Sequence, residues 1–102
     1  MAFKKRLWTS DPDKFMRSNF MRRLSRALRT RRETIGLSQD QLAFRTGLHR
    51  SYISDVECGG RNISLGSFYL LSAALEILPS QLLIEAERAF AIRRKRKKIE
   101  IS

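Results

Sequence analysis

The segment Leu48–Glu57, LHRSYISDVE, carries two different faces at helical spacing. Leu48, Ile53 and Val56 recur at that spacing, which predicts a buried apolar face. The opposite face carries short or branching polar groups that can form outward hydrogen bonds, namely Arg50, Ser51, Ser54 and Asp55. Spacing alone leaves two interpretations open: the polar face is ordinary solvated surface, or it recognises a ligand through its hydrogen-bonding groups.

The sequence offers little for catalysis. Its one histidine, His49, and its one cysteine, Cys58, lie nine positions apart, and no third residue is placed to orient them. The sequence has no glycine-rich phosphate loop and no histidine and cysteine cluster with metal-ligand spacing. The acidic residues are scattered, whereas a carboxylate-based nuclease needs them close together. We therefore expect no enzyme, no metal site and no cofactor.

The charge of the chain favours a polyanionic partner. The net charge is +11 over 102 residues, with a pI of about 11.1. Residues 1–32 carry a net +9, residues 33–87 a net −4 and residues 88–102 a net +6. Such a balance favours a nucleic acid or an acidic membrane surface. In the basic C-terminal run we expect phosphate contacts that add affinity without specificity, made by Arg93, Arg94 and Lys95.

The sequence also indicates a compartment. A single cysteine allows no intramolecular disulfide, which suits a reducing cytoplasm. The start MAFKKRLW lacks the apolar run of a secretory signal. The most apolar run, residues 68–84, is interrupted by polar residues and a proline, so we expect no membrane span and no membrane partner.

Helical periodicity dominates the chain, and no alternating run predicts a strand. We expect a basic and partly helical N-terminal arm over residues 1–18, a folded domain over residues 19–90, and a basic C-terminal tail over residues 91–102. The first helix starts near either Asp11 or Asn19. Its predicted apolar stripe steps by four residues and consists of Met16, Phe20, Leu24 and Leu28.

Two short helices are predicted in the middle of the chain. Ser38 and Gln41 fit a capping box that opens a helix running to Thr46. Gly47 then supplies a turn, either because a side chain would clash there or because φ is positive. The next helix covers residues 49–57. The apolar residues of this pair, Leu42, Ala43, Ile53 and Val56, can be buried together if the helices cross steeply, which turns the polar start of the second helix outward.

Two further helices follow. Ser64 caps a fourth helix, and Pro79 begins a fifth. The apolar positions of the fourth are Leu65, Phe68, Leu71 and Leu75, and those of the fifth are Leu82, Leu83, Ala86 and Phe90. In the fifth helix, Leu82, Leu83 and Phe90 are either ordinary core or, as we favour, the interface of a homodimer.

The pattern R-x-x-x-G-L-S-Q-x-Q-L-A-x-x-x-G-L-x-x-x-x-I-S-x-V-E-x-G, from Arg32 to Gly59, resembles the lambda-repressor-like (Cro/xenobiotic-response-element) helix-turn-helix family. The segment from Asn62 to Ile77 is similar to the fourth helix of that family. LHRSYISDVECGGRNISL especially resembles the controller proteins of restriction–modification systems. The resemblance implies an all-α fold of five helices that binds double-stranded DNA as a homodimer, here with basic N- and C-terminal extensions.

The resemblance also implies roles for single residues. The base-reading positions are Arg50 and Ser51, with His49, Ser54 and Asp55 able to contribute. The DNA-backbone positions are Gln39, which should also brace the recognition helix, together with Tyr52, Arg61 and Asn62. Arg32 and Glu57 match an internal ion pair of the family. Cys58 departs from the family pattern, which puts one backbone contact in doubt.

Several alternatives stay open at this stage. Tyr52 either contacts the sugar-phosphate backbone or packs against the domain. Asp55 either accepts a hydrogen bond from a cytosine amino group, orients Arg50, or has no contact. The chain as a whole is expected to be a sequence-specific transcriptional regulator, in the cytoplasm and on the nucleoid of a bacterium or phage-infected cell. It would place the helix over residues 49–57 in the major groove of a roughly palindromic operator. The alternatives are a DNA-binding antitoxin that partners a toxin and, in a different class, a basic membrane-surface or partner-binding protein.

Overall fold

The computed structural model describes residues 20–59 and 61–88, which form five helices and no strand. The helices are α1 (Phe20–Thr34), α2 (Gln39–Thr46), α3 (Arg50–Glu57), α4 (Leu65–Ala74) and α5 (Pro79–Arg88). The predicted all-α class is therefore confirmed. The expected N-terminal arm and C-terminal tail lie outside the described residues, as do Phe90, Arg93, Arg94 and Lys95.

Helix α1 buries a different stripe from the predicted one. Met21, Leu24, Ser25 and Leu28 are buried, whereas Phe20 is 37% exposed. The prediction for Phe20 was wrong because a constant step of four residues advances about 40° beyond a full turn each time. Alternating steps of three and four keep residues on one side of the helix, and Met21 begins that series.

The turn between α2 and α3 follows local capping rules. Ser38 Oγ accepts a hydrogen bond from the Gln41 backbone N–H at 3.1 Å, and the Ser38 N–H donates to Gln41 Oε1 at 2.8 Å, which confirms the capping box. Gly47 has φ 75°, and no atom lies within 4 Å of where its Cβ would be. Glycine is therefore required here for its left-handed backbone and not for close packing.

Replacing Gly47 with alanine is expected to lower the free energy of unfolding by about 1–2 kcal/mol, because an L-residue is strained in the left-handed region. Gly66 is a matched control, since it lies inside α4 and also has open space around its Cβ position. Gly66→Ala is expected to stabilise the chain by about 0.5–1 kcal/mol. Urea unfolding of both variants measures this difference. Equal effects of the two substitutions would contradict the conclusion that Gly47 is required for its left-handed backbone.

The core lies where α1, α2, α3 and α4 meet, since α3 packs on α1 and α2, and α2 packs on α4. Leu42, Ile53 and Val56 are each 1% exposed, and Ala43 is half-buried against them. This confirms that the apolar sides of α2 and α3 are buried together. The observed α3 begins at Arg50, with His49 as its N-cap, one residue later than predicted.

Helices α4 and α5 complete the core with most of their predicted residues. Phe68, Leu71, Leu75 and Leu82 are buried, but Leu65 is 85% exposed. The prediction that Leu65 belongs to the buried stripe was wrong: as the first residue of α4 it precedes the turn that reaches the core. No single described helix is long and apolar enough to cross a membrane. Only α4 and α5 taken together reach that length and composition, and they are bent by 97°.

Two arginines that the sequence did not single out hold the turn between α4 and α5. Arg31 donates from Nε to the Leu75 carbonyl at 2.9 Å and from Nη2 to the Glu76 carbonyl at 3.0 Å. Arg45 donates to the Ala74 carbonyl at 3.1 Å. These carbonyls are left without a helical partner at the end of α4. The two arginines therefore fix the end of α4 to α1 and α2.

Candidate nucleic-acid interface

Helix α3 turns its polar residues away from the core. Ile53 and Val56 are buried, while the exposed side chains are His49, Arg50, Ser51 and Asp55, and Ser54 is half-buried. We call these five residues the polar face of α3. Its exposed members present hydrogen-bond donors and acceptors at the surface. The structure thus brings together all five residues to which base reading was assigned.

Glu57, at the end of α3, is bound by two other helices. Arg32 of α1 donates from Nε to Glu57 Oε2 at 2.7 Å and from Nη2 to Oε1 at 2.9 Å. Gln39 of α2 donates from Nε2 to Oε1 at 3.1 Å. The side chains of Arg32 and Glu57 are 12% and 4% exposed. Glu57 therefore fixes the axis of α3 relative to α1 and α2.

The same contacts define the state of Arg32. The hydrogen bond to Glu57 raises the pKa of the Arg32 guanidinium above its ordinary value, so the group stays charged. Its remaining terminal nitrogen, Nη1, donates to the Leu37 carbonyl at 2.8 Å, in the turn before α2. Arg32 thus joins the end of α1, the start of α2 and the end of α3.

Gln39 was assigned two roles, one of which is visible in the fold. As the first residue of α2 it is half-buried, and its amide group reaches Glu57. It therefore ties the start of α2 to the end of α3, as a brace would. A contact of Gln39 with a DNA backbone stays a prediction.

Arg50 pairs with a carboxylate that sequence reasoning had missed. Its Nε lies 3.4 Å from Asp40 Oδ1 on α2, and the two side chains are 63% and 74% exposed. Of the three roles considered for Asp55, orientation of Arg50 has no ion pair to support it in the described residues, and all three roles stay predictions. The sequence carried no direct signal for the pair, since Asp40 and Arg50 lie ten positions apart on two helices joined by a turn.

A cleft borders the polar face of α3 on the side of α4. Its volume is about 290 Å³, and its lining comprises Gly47, Leu48, His49, Ser51, Tyr52, Asp55, Arg61 and Ser67. The Arg61 guanidinium carbon lies 5.4 Å from the centre of the Tyr52 ring, within the range of a cation–π contact. Tyr52 also packs against the core. Packing of Tyr52 against the domain is therefore observed, while its contact with a sugar-phosphate backbone stays a prediction.

Asn62, which was assigned to the DNA backbone, lies outside the cleft lining, and Cys58, which was assigned no contact, ends α3. Asn62 is exposed in the loop before α4. Cys58 is exposed as the C-cap of α3, and its backbone N–H donates to the Ser54 carbonyl at 3.0 Å. Within residues 20–59 and 61–88, no group of three histidine, cysteine or acidic side chains could hold a metal ion.

The prediction for the dimer interface needs a correction. Leu82 is 0% exposed and Leu83 is half-buried, so the side chain of Leu82 cannot meet a second copy. The reason is that α5 lies at 97° to α4 and contributes this side of the helix to the core, together with Ala86. The large apolar side chains that α4 and α5 do expose are Leu65, Tyr69, Leu70 and Ile84.

Known proteins are similar to this chain over most of its described residues. Residues 28–82 match a helix-turn-helix family model. Control protein C.BamHI of Bacillus amyloliquefaciens is 51% identical over 47 residues. That match covers 46% of this chain and 58% of C.BamHI, so the chain spans less than two thirds of that relative.

Two solved structures share both sequence and fold with this chain. The restriction–modification controller protein C.AhdI of Aeromonas hydrophila is 45% identical, with a TM-score of 0.59 over 61% of this chain and 94% of that one. The controller protein C.Esp1396I, crystallised as a tetramer with its natural 35-base-pair operator, is 28% identical. Its TM-score is 0.61, over 66% of this chain and 92% of that one.

Proposed function

This chain belongs to the helix-turn-helix family that its residues 28–82 match, and we propose that it is a sequence-specific DNA-binding regulator of transcription. The observation that carries the proposal is the polar face of α3. Arg50, Ser51 and Asp55 are exposed on a helix whose other side is buried. The contacts of Glu57 hold that helix in one orientation, as a helix that enters a groove must be held.

In the proposed complex, α3 lies in the major groove, which is roughly 12 Å wide and accepts one helix. Arg50 donates from its guanidinium to O6 and N7 of a guanine, and Ser51 hydrogen-bonds to an adjacent base edge. Gln39, Tyr52, Arg61 and Asn62 contact the sugar-phosphate backbone, which positions the helix without reading sequence. The cleft between α3 and α4 supports this arrangement, since it places Arg61 and the Tyr52 ring beside the polar face.

We further propose that the active form is a homodimer that binds a roughly palindromic operator. Leu65, Tyr69, Leu70 and Ile84 support a self-association surface, because large exposed apolar side chains on neighbouring helices favour burial. Two copies related by a two-fold axis would place their α3 helices about 34 Å apart, one turn of duplex. Sedimentation equilibrium with and without operator DNA tests this, and a monomer under both conditions would contradict it.

The similarity to C.BamHI and C.AhdI supports a narrower proposal, that this chain controls genes of a restriction–modification system. It would act in the cytoplasm on the nucleoid, by binding and not by catalysis. The membrane-surface alternative has less support, since it does not require the polar face of α3 beside Tyr52 and Arg61. The antitoxin alternative keeps the same DNA binding and differs in its protein partner. A toxin that co-purifies with the chain would favour the antitoxin role instead.

Selection of bound duplexes from a random DNA pool tests the proposed function directly. We expect enrichment of one motif with two half-sites about 10 base pairs apart from centre to centre. Each half-site should contain an invariant guanine. A pool that stays random after several rounds, while the chain still binds DNA, would reduce the function to non-specific binding and overturn the proposal.

Arg50→Ala is expected to lower discrimination for that guanine by about 1–3 kcal/mol, because the two hydrogen bonds to O6 and N7 are lost. Arg29→Ala is the matched control: Arg29 also lies 3.4 Å from a carboxylate, that of Glu33, and its side chain is 60% exposed. The control removes the same charge without touching α3, so it should leave base preference intact. Binding titrations at fixed salt on the selected site and on sites with the guanine replaced measure both. If Arg50→Ala retained the preference for guanine, the assignment of Arg50 as a base-reading residue would be wrong.

A further inference from the structure

We propose that Asp40 is a positioning residue that holds Arg50 for base recognition and weakens its attraction to phosphates. The inference rests on the proposed function and names a specificity determinant within the same site. Asp40 is the second residue of α2 and Arg50 the first residue of α3. Their side chains meet across the helix-turn-helix, with Asp40 Oδ1 3.4 Å from Arg50 Nε.

The geometry of the pair leaves the two terminal nitrogens of the Arg50 guanidinium available for a base contact. A guanidinium has five N–H donors in a fixed planar arrangement, one on Nε and four on the terminal nitrogens. The carboxylate of Asp40 lies closest to Nε. The two terminal nitrogens therefore stay free to face O6 and N7 of a guanine together. An arginine without this partner would sample many more side-chain conformations, most of them unsuited to that contact.

The charge of Asp40 has a second consequence. An unpaired arginine at the start of α3 would attract any phosphate, and this attraction strengthens binding to all sequences alike. A carboxylate 3.4 Å from Arg50 offsets that charge and repels phosphates that approach in the wrong register. The hydrogen bonds to a guanine are less affected, because they depend on geometry as well as charge. Asp40 should therefore increase the ratio of specific to non-specific affinity.

Stability is a poor explanation for the pair. Both side chains are more than half exposed, and exposed ion pairs contribute little to folding. Asp55, the carboxylate on α3 itself, lines the cleft beside Tyr52 and Arg61. Among the described residues, Asp40 is the carboxylate that lies within ion-pair distance of Arg50.

The test compares Asp40→Asn with Asp40→Glu in the full chain, using the selected site, the same site with the guanine replaced, and a random duplex of equal length. We expect Asp40→Asn to bind random DNA about 3–10-fold more tightly. The slope of log affinity against log salt concentration should become steeper by the equivalent of about one phosphate contact. Its preference for guanine should fall at least about fivefold, which is part of the bidentate contribution. Asp40→Glu, which keeps the carboxylate, should restore most of that preference.

Glu33→Gln is the matched control. It removes a carboxylate from another exposed pair with the same 3.4 Å separation, on α1, which involves neither Asp40 nor Arg50. It should change affinity for all three duplexes by the same factor and leave guanine preference unchanged. Circular dichroism and thermal unfolding should show that every variant stays folded, as expected for exposed positions.

The outcomes separate the inference from the proposed function. If the wild-type chain prefers guanine and Asp40→Asn keeps the same preference, the inference about Asp40 is overturned and the proposed function stands. A wild-type chain that binds all duplexes equally would overturn the proposed function, and the inference with it. In an Arg50→Ala background, Asp40→Asn should no longer alter base preference. A further loss there would show that Asp40 acts without Arg50 and would also overturn the inference.

Discussion

Glu57→Ala is expected to lower the free energy of unfolding by about 3–5 kcal/mol, the range for breaking a buried ion pair from one side. The carboxylate of Glu57 is 4% exposed and accepts from Arg32 and Gln39. Its removal leaves the charged Arg32 guanidinium in a site where water can reach only 12% of the side chain. Urea unfolding followed by circular dichroism measures the loss.

Two companion variants sharpen this prediction. Glu33→Ala breaks an exposed ion pair and is expected to cost less than about 1 kcal/mol. Replacing both partners with apolar residues, Arg32→Met with Glu57→Leu, should recover most of the lost stability, because no buried charge is then left unpaired. A loss from Glu57→Ala as small as that from Glu33→Ala would contradict the buried pair.

The same variant connects stability to function. Glu57 joins α3 to α1 and α2, so its loss should also loosen the orientation of the polar face. At a temperature where Glu57→Ala stays folded, we expect weaker binding to the selected site with a smaller change on random DNA. Equal weakening on both would mean that the contacts of Glu57 support folding only.

Leu82→Ala is expected to cost about 2–5 kcal/mol of unfolding free energy, the range for truncating a buried leucine and leaving a cavity. Leu82 is 0% exposed and belongs to the hydrophobic core. Ile84 lies on the same helix but is 41% exposed. Ile84→Ala should therefore cost much less stability at equal protein concentration, while it weakens self-association.

Urea unfolding and sedimentation equilibrium together separate the two positions. Protein concentration must be held constant, because association itself stabilises a dimer. If Leu82→Ala lowered only the association constant and left unfolding at low concentration unchanged, the placement of Leu82 in the core would be wrong. The earlier prediction of Leu82 as an interface residue would then stand.

Much of the fold could be predicted from the sequence because it depends on contacts between near neighbours. The capping box joins Ser38 to Gln41, and the left-handed turn at Gly47 involves one residue and the helix end before it. The burial of Ile53 and Val56 follows from their helical spacing. These interactions span three or four residues, so composition and spacing determine them.

The polar face of α3 could also be named in advance, because an amphipathic helix must turn its polar residues away from the core that its apolar residues enter. The pattern from Arg32 to Gly59 added the roles that its resemblance implied. The sequence alone thus determined the all-α class, the position of α2 and α3, and the residues that face outward from α3.

Only the tertiary structure decided which distant residues meet. Arg31 binds carbonyls 44 and 45 residues away, Leu82 lies in the core and not on the surface, and Arg50 faces Asp40 and not Asp55. Each outcome depends on the angles between helices, which many weak packing contacts set together. A shift of one residue in the packed face exchanges core for surface, as Phe20 and Met21 show. The spacing of residues within one helix does not determine the angles between helices. The partners of Arg31, Arg50 and Leu82 could therefore be identified only from the packed structure.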